Sequence, residues 1–199
     1  MLRSILVGLD GSAFSTSALE LDLEWGKQHD CLLVGLGIID KTGVDVVEAM
    51  PIGASAFKRR TDEKQLAKAQ QRVQKFFDRF EARCKEEKVR CETLTEIGVP
   101  YEEILEESQR HDLLLLGQQT YYEFDHYDTP GKTLHNVLKN CPRPVVTTPK
   151  RFSTIGNTII AYDASLQAAH ALESFVALDL HRDGEVHVVS VDEEAIRAE

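Results

Sequence analysis

The sequence lacks the features of several large protein classes. None of its apolar runs reaches the roughly 18 residues that a membrane-spanning helix needs. Lysine and arginine number 23 against 33 aspartates and glutamates, and the formal net charge of −10 argues against a face built to hold a nucleic-acid backbone. The N-terminal segment reaches charges at Arg3 and Asp10 too soon for a secretory signal. We therefore expect a cytoplasmic protein that has neither a membrane nor a nucleic acid as its partner.

Familiar catalytic and metal-binding motifs are also missing. The sequence contains no Walker P-loop, no nucleophile elbow and no complete G-x-G-x-x-G fingerprint. Its four cysteines form no C-x-x-C pair, which argues against a zinc knuckle or a redox dithiol; they are Cys31, Cys84, Cys91 and Cys141. Thiols buried in a reducing compartment explain them best. We therefore predict no catalytic residue and no metal ligand.

The chain does show a regular alternation of strand-like and helix-like segments. Short apolar runs at 5–9, 31–39 and 113–117 have the composition of buried strands, 89–95 alternates apolar and polar residues, and 144–149 is bounded by prolines. This alternation predicts an α/β fold, an open doubly wound sheet of five parallel strands with helices on both faces. In such a sheet the ligand crevice lies at the carboxyl ends of the strands, at the switch point.

The clearest helix carries one apolar stripe. Its apolar residues recur at spacings of three, four and one, and they are Leu66, Ala69, Val73, Phe76, Phe77, Phe80 and Cys84. We interpret the phenylalanines as core packing, and an aromatic ligand box is the alternative. The preceding residues 40–61 contain Gly43, Pro51 and Gly53 and are predicted to form a mixed loop.

The sequence also contains an internal repeat. Segment 6–12 recurs at 159–165 with a constant offset of 153 positions, which takes Asp10 to Asp163. A repeat at this spacing indicates a duplicated domain rather than a solenoid.

The repeat predicts two domains of unequal completeness. The first occupies residues 1–149, and the β-α-β opening of a second copy occupies 157–199, after a linker at 150–157. Two strands and one helix cannot cover both faces of a parallel sheet. We therefore expect the chain to be a fragment of a longer tandem protein, and the alternative is that the half-domain docks on another surface.

Four segments together make the sequence similar to the universal stress protein family. They are the strand running into Asp10-Gly11-Ser12, residues 103–108 leading to 112–117, the motif at 131–138, and Pro142-Arg143-Pro144-Val145-Val146. Their order and spacing cover residues 1–149 and restart near residue 157. The resemblance implies the strand order 3-2-1-4-5 of the adenine-nucleotide α-hydrolase-like fold.

The resemblance also implies an adenine-nucleotide site, with ATP or AMP as the candidate ligand. Asp10 corresponds to the residue near the ribose and metal, and the backbone of Ile38 and Ile39 corresponds to the adenine contact. The family's phosphates lie on a G-x-x-G-(nine residues)-G-[S/T] stretch, since glycines let backbone N–H groups approach an anion at a helix N-terminus. By position, that stretch supplies Gly117, Thr120, Gly131, Lys132 and Thr133.

The phosphate stretch departs from the family pattern. Thr120 stands at the second glycine, ten residues rather than nine precede Gly131, and Lys132 stands where Ser or Thr is expected. The intervening loop carries three carboxylates, Glu123, Asp125 and Asp128. Like charges beside a triphosphate cost about 1 kcal/mol each near a surface, so we expect ATP to bind weakly or not at all.

Two functional hypotheses follow. The leading one is a non-catalytic stress-response module that binds nucleotide weakly or not at all. The alternative is a nucleotide-dependent enzyme, an ATP hydrolase or a nucleotidyl-transfer enzyme, that uses the same crevice. That class carries a S-G-G-x-D-S loop after strand one, whereas residues 10–15 here lack paired glycines. A metal cluster at 123–128 is a weaker hypothesis because its spacing matches no metal template.

The fifth predicted strand is the candidate association surface. Residues 144–149 are short and apolar, and their flanking prolines favour a sheet edge. An exposed edge leaves unpaired N–H and C=O groups that invite a partner strand. We predict a homodimer through this strand, or intramolecular pairing between tandem domains.

Overall fold

The computed structural model describes residues 1–40, 55–120, 122, 132–151, 153, 156–181 and 184–190, with the side chains of the longest helix described from residue 63. The elements in chain order are β1 Ser4–Gly8, α1 Ala13–His29, β2 Leu32–Asp40, α2 Ser55–Glu87, β3 Cys91–Gly98, α3 Pro100–Ser108, β4 Leu113–Gly117, α4 Lys132–Asn140, β5 Val145–Thr148, β6 Thr158–Ala161, α5 Leu166–Ala177 and β7 Val186–Val189. Within these ranges, every helix is either too short or too polar to serve as a membrane span.

The chain divides into two compact units. Residues 3–152 form the larger unit, and residues 153–199 together with the first two residues form the smaller one. The division falls inside the segment that the sequence predicts as a linker.

The larger unit contains a five-stranded sheet in the order β3-β2-β1-β4-β5, with every pair parallel. The predicted doubly wound sheet and its strand order are confirmed. Strand β1 pairs with β2 on one side and with β4 on the other, so the winding reverses between β1 and β4. This reversal places the switch point at the end of β1.

Helices α1 and α2 cover one face of the sheet. Phe77 and Phe80 of α2 are buried and pack against the two glycines of β2. A Cβ atom at Gly35 would lie 3.1 Å from the Phe80 ring, and one at Gly37 would lie 3.0 Å from the Phe77 ring. The predicted core role of these phenylalanines is confirmed.

Helices α3 and α4 cover the other face. Ile104 of α3 and Val137 of α4 share one buried cluster with alternate residues of the central strands, namely Leu6, Val34, Leu36, Ile38, Leu114 and Leu116. Local sequence explains where α3 begins: Pro100 occupies its first turn, together with Glu102 and Glu103, which suit the positive end of a helix.

Helix α2 begins earlier than the sequence indicates. It starts at Ser55, so the predicted loop at 40–61 was wrong for its last residues, while 41–54 lie outside the described residues. The segment Lys58-Arg59-Arg60 carries no apolar stripe, yet lysine and arginine are good helix formers. Periodicity therefore could not reveal this part of the helix.

The smaller unit contains β6, α5 and β7, with β6 and β7 paired in parallel. Thr158 pairs with Val186, at the same offset of 153 positions from the pair Ile5 and Leu33 in the larger unit. The backbone N–H of Tyr162 donates to the Val189 carbonyl at 2.9 Å, as that of Leu9 donates to Leu36 at 2.9 Å.

Candidate functional site

The candidate site lies at the carboxyl ends of β1, β2 and β4 in the larger unit. Gly8 ends β1 and Gly117 ends β4, and these strands are neighbours at the switch point. Parallel strands bring their carboxyl ends to one edge of the sheet, where the loops that follow them meet.

Asp10 and Ser12 form the turn that starts α1. The backbone N–H of Ser12 donates to Oδ1 of Asp10 at 2.9 Å, and the hydroxyl of Ser12 accepts from the N–H of Ser15 at 3.1 Å. Ser12 is therefore the N-cap of α1. Gly11 between them has φ +75° and lies under the Phe76 ring, so a side chain there would be strained and would clash.

The predicted adenine contacts lie near the end of β2. Ile38 and Ile39 are both 2% exposed, and their side chains point to opposite faces of the sheet. Ile38 belongs to the buried cluster on the α3 and α4 side. Only their backbone is therefore placed to meet a ligand in the manner that the resemblance implies.

Gly117 lies against the first turn of α1. A Cβ atom there would be 2.5 Å from Cβ of Phe14 and 3.1 Å from its carbonyl carbon. The lack of a side chain at Gly117 thus lets the first turn of α1 pack closely against β4. Whether the same glycine also meets a phosphate stays a prediction.

Thr120 and Thr133 are both buried, 5% and 9% exposed. Thr133 lies in the first turn of α4, after the exposed Lys132. The hydroxyl of Thr120 has no hydrogen-bond partner among the described residues. Gly131 and the acidic segment 123–128 lie outside the described residues, so their predicted contributions are not located.

Tyr122 is a site residue that sequence reasoning missed. It is 4% exposed, and a methyl group at Gly8 would overlap its hydroxyl oxygen. That hydroxyl has no hydrogen-bond partner within the described part of the chain. Burial and the nearby charge of Asp10 raise the pKa of Tyr122 well above its ordinary value. A buried hydroxyl without a hydrogen-bond partner costs about 1–3 kcal/mol of folding free energy. The hydroxyl of Tyr122 therefore lowers the stability of the folded protein.

No local pattern marks Tyr122 in the sequence. It stands beside Tyr121 at the head of an acidic loop, and nothing in that loop distinguishes a buried ring from an exposed one. Thr120 at a family glycine position departs from the family pattern, but that departure does not indicate a buried ring two residues later.

Comparison with known proteins agrees with this architecture. The model of the Universal stress protein family matches residues 1–149. Universal stress protein Slr1230 of Synechocystis sp. is 31% identical over 61 residues, which are 31% of this chain and 21% of that protein. The matched segment thus spans only about a fifth of that relative's length.

Two solved structures share the fold. A universal stress protein from Archaeoglobus fulgidus superposes with a TM-score of 0.60 at 18% identity, over 98% of this chain and 68% of that chain. A universal stress protein family protein from Arabidopsis thaliana, with AMP bound, superposes with a TM-score of 0.51 at 17% identity, over 75% of this chain and 92% of that chain. The family match over residues 1–149, together with this fold, shows that the chain belongs to the universal stress protein family.

Proposed function

We propose that this protein is a non-catalytic stress-response module whose crevice binds an adenine nucleotide weakly or not at all. Membership of the family supports the stress-response role. The AMP bound to the Arabidopsis relative supports an adenine nucleotide as the ligand class. The observation that carries the weak affinity is the buried Tyr122 ring at the carboxyl ends of the strands, where a ligand of this fold class would lie.

The turn after β1 supports the non-catalytic part of the proposal. Oδ1 of Asp10 accepts from the Ser12 N–H, and the Ser12 hydroxyl caps α1. Both side chains therefore have structural roles at the place where a hydrolase of this fold would present its reactive loop. Measuring the phosphate released when the purified protein is incubated with ATP tests this directly. An ATP hydrolase activity that co-purifies with the protein would favour the enzyme alternative.

ATP and AMP should each bind with a Kd weaker than about 100 μM, or roughly −5.5 kcal/mol. The reason is that Tyr122 is buried against Gly8 at the end of β1 and Thr120 replaces a glycine on the phosphate stretch. Isothermal titration calorimetry of the full chain with each nucleotide measures the affinity. A low-micromolar Kd for either nucleotide would contradict the prediction.

We further propose that residues 1–149 and 157–199 are two copies of one domain. The N–H of Ser165 donates to Oδ1 of Asp163 at 2.9 Å, as in the turn after β1, and the hydroxyl of Ser165 caps α5. Ala164 adopts φ +61°, matching the left-handed Gly11. This shared turn and the shared strand register support a duplication.

In this proposal β6, α5 and β7 of the smaller unit correspond to β1, α1 and β2 of the first copy. Strands β6 and β7 carry apolar side chains that are well exposed, including Ile159 at 72% and Val188 at 57%. The corresponding residues of the first copy lie in the interior of a complete five-stranded sheet.

The described cysteines support a reducing compartment. All four are free thiols, and burial raises the pKa of Cys31 to about 12. A thiol with so high a pKa is a poor nucleophile and redox centre. We therefore place the proposed function in the cytoplasm.

The protein should form a homodimer through β5. This strand is an edge of the sheet, and Val145 and Val146 in it are partly exposed. Replacing Val146 with lysine should shift the species from dimer towards monomer, since a charge on an edge strand opposes pairing. Multi-angle light scattering at micromolar concentrations measures the mass of the wild-type protein and the variant.

The matched control is Thr95→Lys, which adds the same charge to an exposed position of β3 at the opposite edge. This variant should keep the wild-type mass. A monomeric wild-type protein, or an equal loss of dimer in both variants, would argue against association through β5. Unchanged far-ultraviolet circular dichroism shows that the fold is retained.

A further inference from the structure

We infer that Tyr122 is a built-in occupant of the crevice: its ring takes the place of a nucleotide's base, and an adenine nucleotide binds only when the ring leaves. The inference rests on the proposed function, because it concerns the same crevice and ligand class. It adds that one side chain of this chain competes with the ligand and so sets the affinity.

The position of the ring carries the first step. The hydroxyl of Tyr122 lies so close to Gly8 that a single methyl group on that glycine would overlap it. The ring shares a buried cluster with Leu36 and Ile38 of β2 and Leu116 of β4. The contact with Gly8 thus places the Tyr122 hydroxyl at the carboxyl end of β1, at the switch point where the doubly wound fold has its crevice.

The neighbours of the ring carry the second step. The side chain of Ile38 belongs to the same buried cluster as Tyr122, while the backbone of Ile38 is the part predicted to contact adenine. Asp10, predicted to lie near the ribose, follows Gly8 by two residues, and the Tyr122 hydroxyl lies against Gly8. The phenol ring therefore lies beside the end of β1, next to the turn that carries Asp10, and a ring and a base cannot occupy that space together.

The chemistry of the ring carries the third step. A phenol and a purine each bury a flat aromatic face and carry polar groups at the edge. While the ring occupies the crevice, its polar edge is not satisfied. The hydroxyls of Tyr122 and Thr120 are both buried without a hydrogen-bond partner among the described residues. A purine edge has acceptors and donors that can satisfy such groups, so a base can replace the ring.

Competition from the ring lowers the apparent affinity. A ligand that needs a minor open state binds with its intrinsic Kd divided by the fraction of molecules in that state. Removing the competitor restores the intrinsic value. A variant that keeps the ring but loses the unpaired hydroxyl should instead hold the crevice closed at least as firmly as the wild-type protein does.

The test is calorimetric titration of AMP into the wild-type protein, Tyr122→Ala and Tyr122→Phe. We expect AMP to bind Tyr122→Ala at least about tenfold more tightly than the wild-type protein, and Tyr122→Phe no more tightly than the wild-type protein. Far-ultraviolet circular dichroism and the fluorescence of Trp25 show whether each variant folds. Equal affinity in all three folded proteins would overturn the inference and leave the proposed nucleotide site standing, whereas AMP binding by none of them would overturn the proposed site itself.

A second measurement does not depend on the alanine variant folding. Tyrosine ring-labelled wild-type protein is examined by NMR, and the Tyr122 signal is assigned by its loss in Tyr122→Phe. Saturation with AMP should move that signal from its buried shift to that of a solvent-exposed tyrosine. A Tyr122 signal that stays at its buried shift while AMP is bound elsewhere in the spectrum would overturn the inference.

Discussion

Replacing Asp22 with asparagine should remove a pH dependence from the stability of the larger unit. Asp22 lies in α1 and is fully buried, and neither carboxylate oxygen has a hydrogen-bond partner among the described residues. Burial raises the pKa of Asp22 well above its ordinary value. The folded protein therefore holds this carboxyl protonated at a pH where the unfolded chain ionises it.

The sign of the effect follows from proton binding. The pKa of Asp22 is raised in the folded state, so the contribution to stability is fully present below the unfolded pKa of about 3.9 and is lost as the pH rises towards the folded pKa. One proton corresponds to about 1.4 kcal/mol per pH unit. Between pH 5 and 7 the asparagine variant should gain up to about 2.7 kcal/mol relative to the wild-type protein.

Urea unfolding at several pH values between 5 and 8 measures this difference, with the buried Trp25, the single tryptophan of the chain, as the fluorescence probe. Other titrating groups, such as His111 with its pKa lowered by burial, act in both proteins and cancel in the difference. Asp78→Asn, at an exposed position of α2, is the matched control and should leave the pH dependence unchanged. A constant difference between wild-type protein and Asp22→Asn across this range would show that Asp22 is ionised in the folded state.

Asp22 is also the place where sequence reasoning about α1 falls short. Asp22 lies four positions after Ala18 and three positions from both Leu19 and Trp25, so the helical period places it on an apolar face, although an unpaired aspartate is rarely buried. In the structure nearly every side of this part of α1 is covered, and Asp22 lies near the thiols of Cys31 and Cys84. The period therefore indicates the burial of position 22, whereas the residue type alone predicts exposure.

The sheet itself could be predicted far better. Its central strands are short continuous apolar runs, and such runs occur where both faces of a parallel sheet are covered. The order β3-β2-β1-β4-β5 came from the family resemblance, because alternation alone permits several orders. Strand β3 extends to Gly98, beyond the predicted limit at Thr95, because residues 96–98 pair with β2.

The candidate site could be predicted only where residues directly follow strands. Asp10 follows β1 and lies at the expected edge of the sheet. The side chain of Ile38, in contrast, lies in the buried core. Tyr122 was not predictable, since it reaches the crevice from a loop without periodicity. Its burial against Gly8 depends on the packing of β1 against β4, which pairs residues more than 100 positions apart.

Replacing Phe80 with alanine should destabilise the larger unit by about 3–5 kcal/mol. Phe80 is completely buried, and its ring lies on the backbone of Gly35, where a Cβ atom would be 3.1 Å away. The glycine leaves a hollow in β2 that the ring fills, so the truncated side chain would leave a cavity that the rigid strand cannot close. Domains of ordinary stability are held by about 5–15 kcal/mol, so the change removes a large part of the total.

Phe76→Ala is the matched control, because Phe76 lies one turn earlier on α2 and is only partly buried. Truncation there removes less apolar area from the interior, so the loss of unfolding free energy should be clearly smaller. Urea unfolding of both variants at one pH gives the comparison, and the denaturant dependence should stay unchanged if the native state remains as compact. Equal losses of unfolding free energy in the two variants would mean that the apolar stripe of α2 does not pack against the glycines of β2 as described. A loss confined to Phe80 would establish that the contact between α2 and β2 is a main source of stability on that face of the sheet.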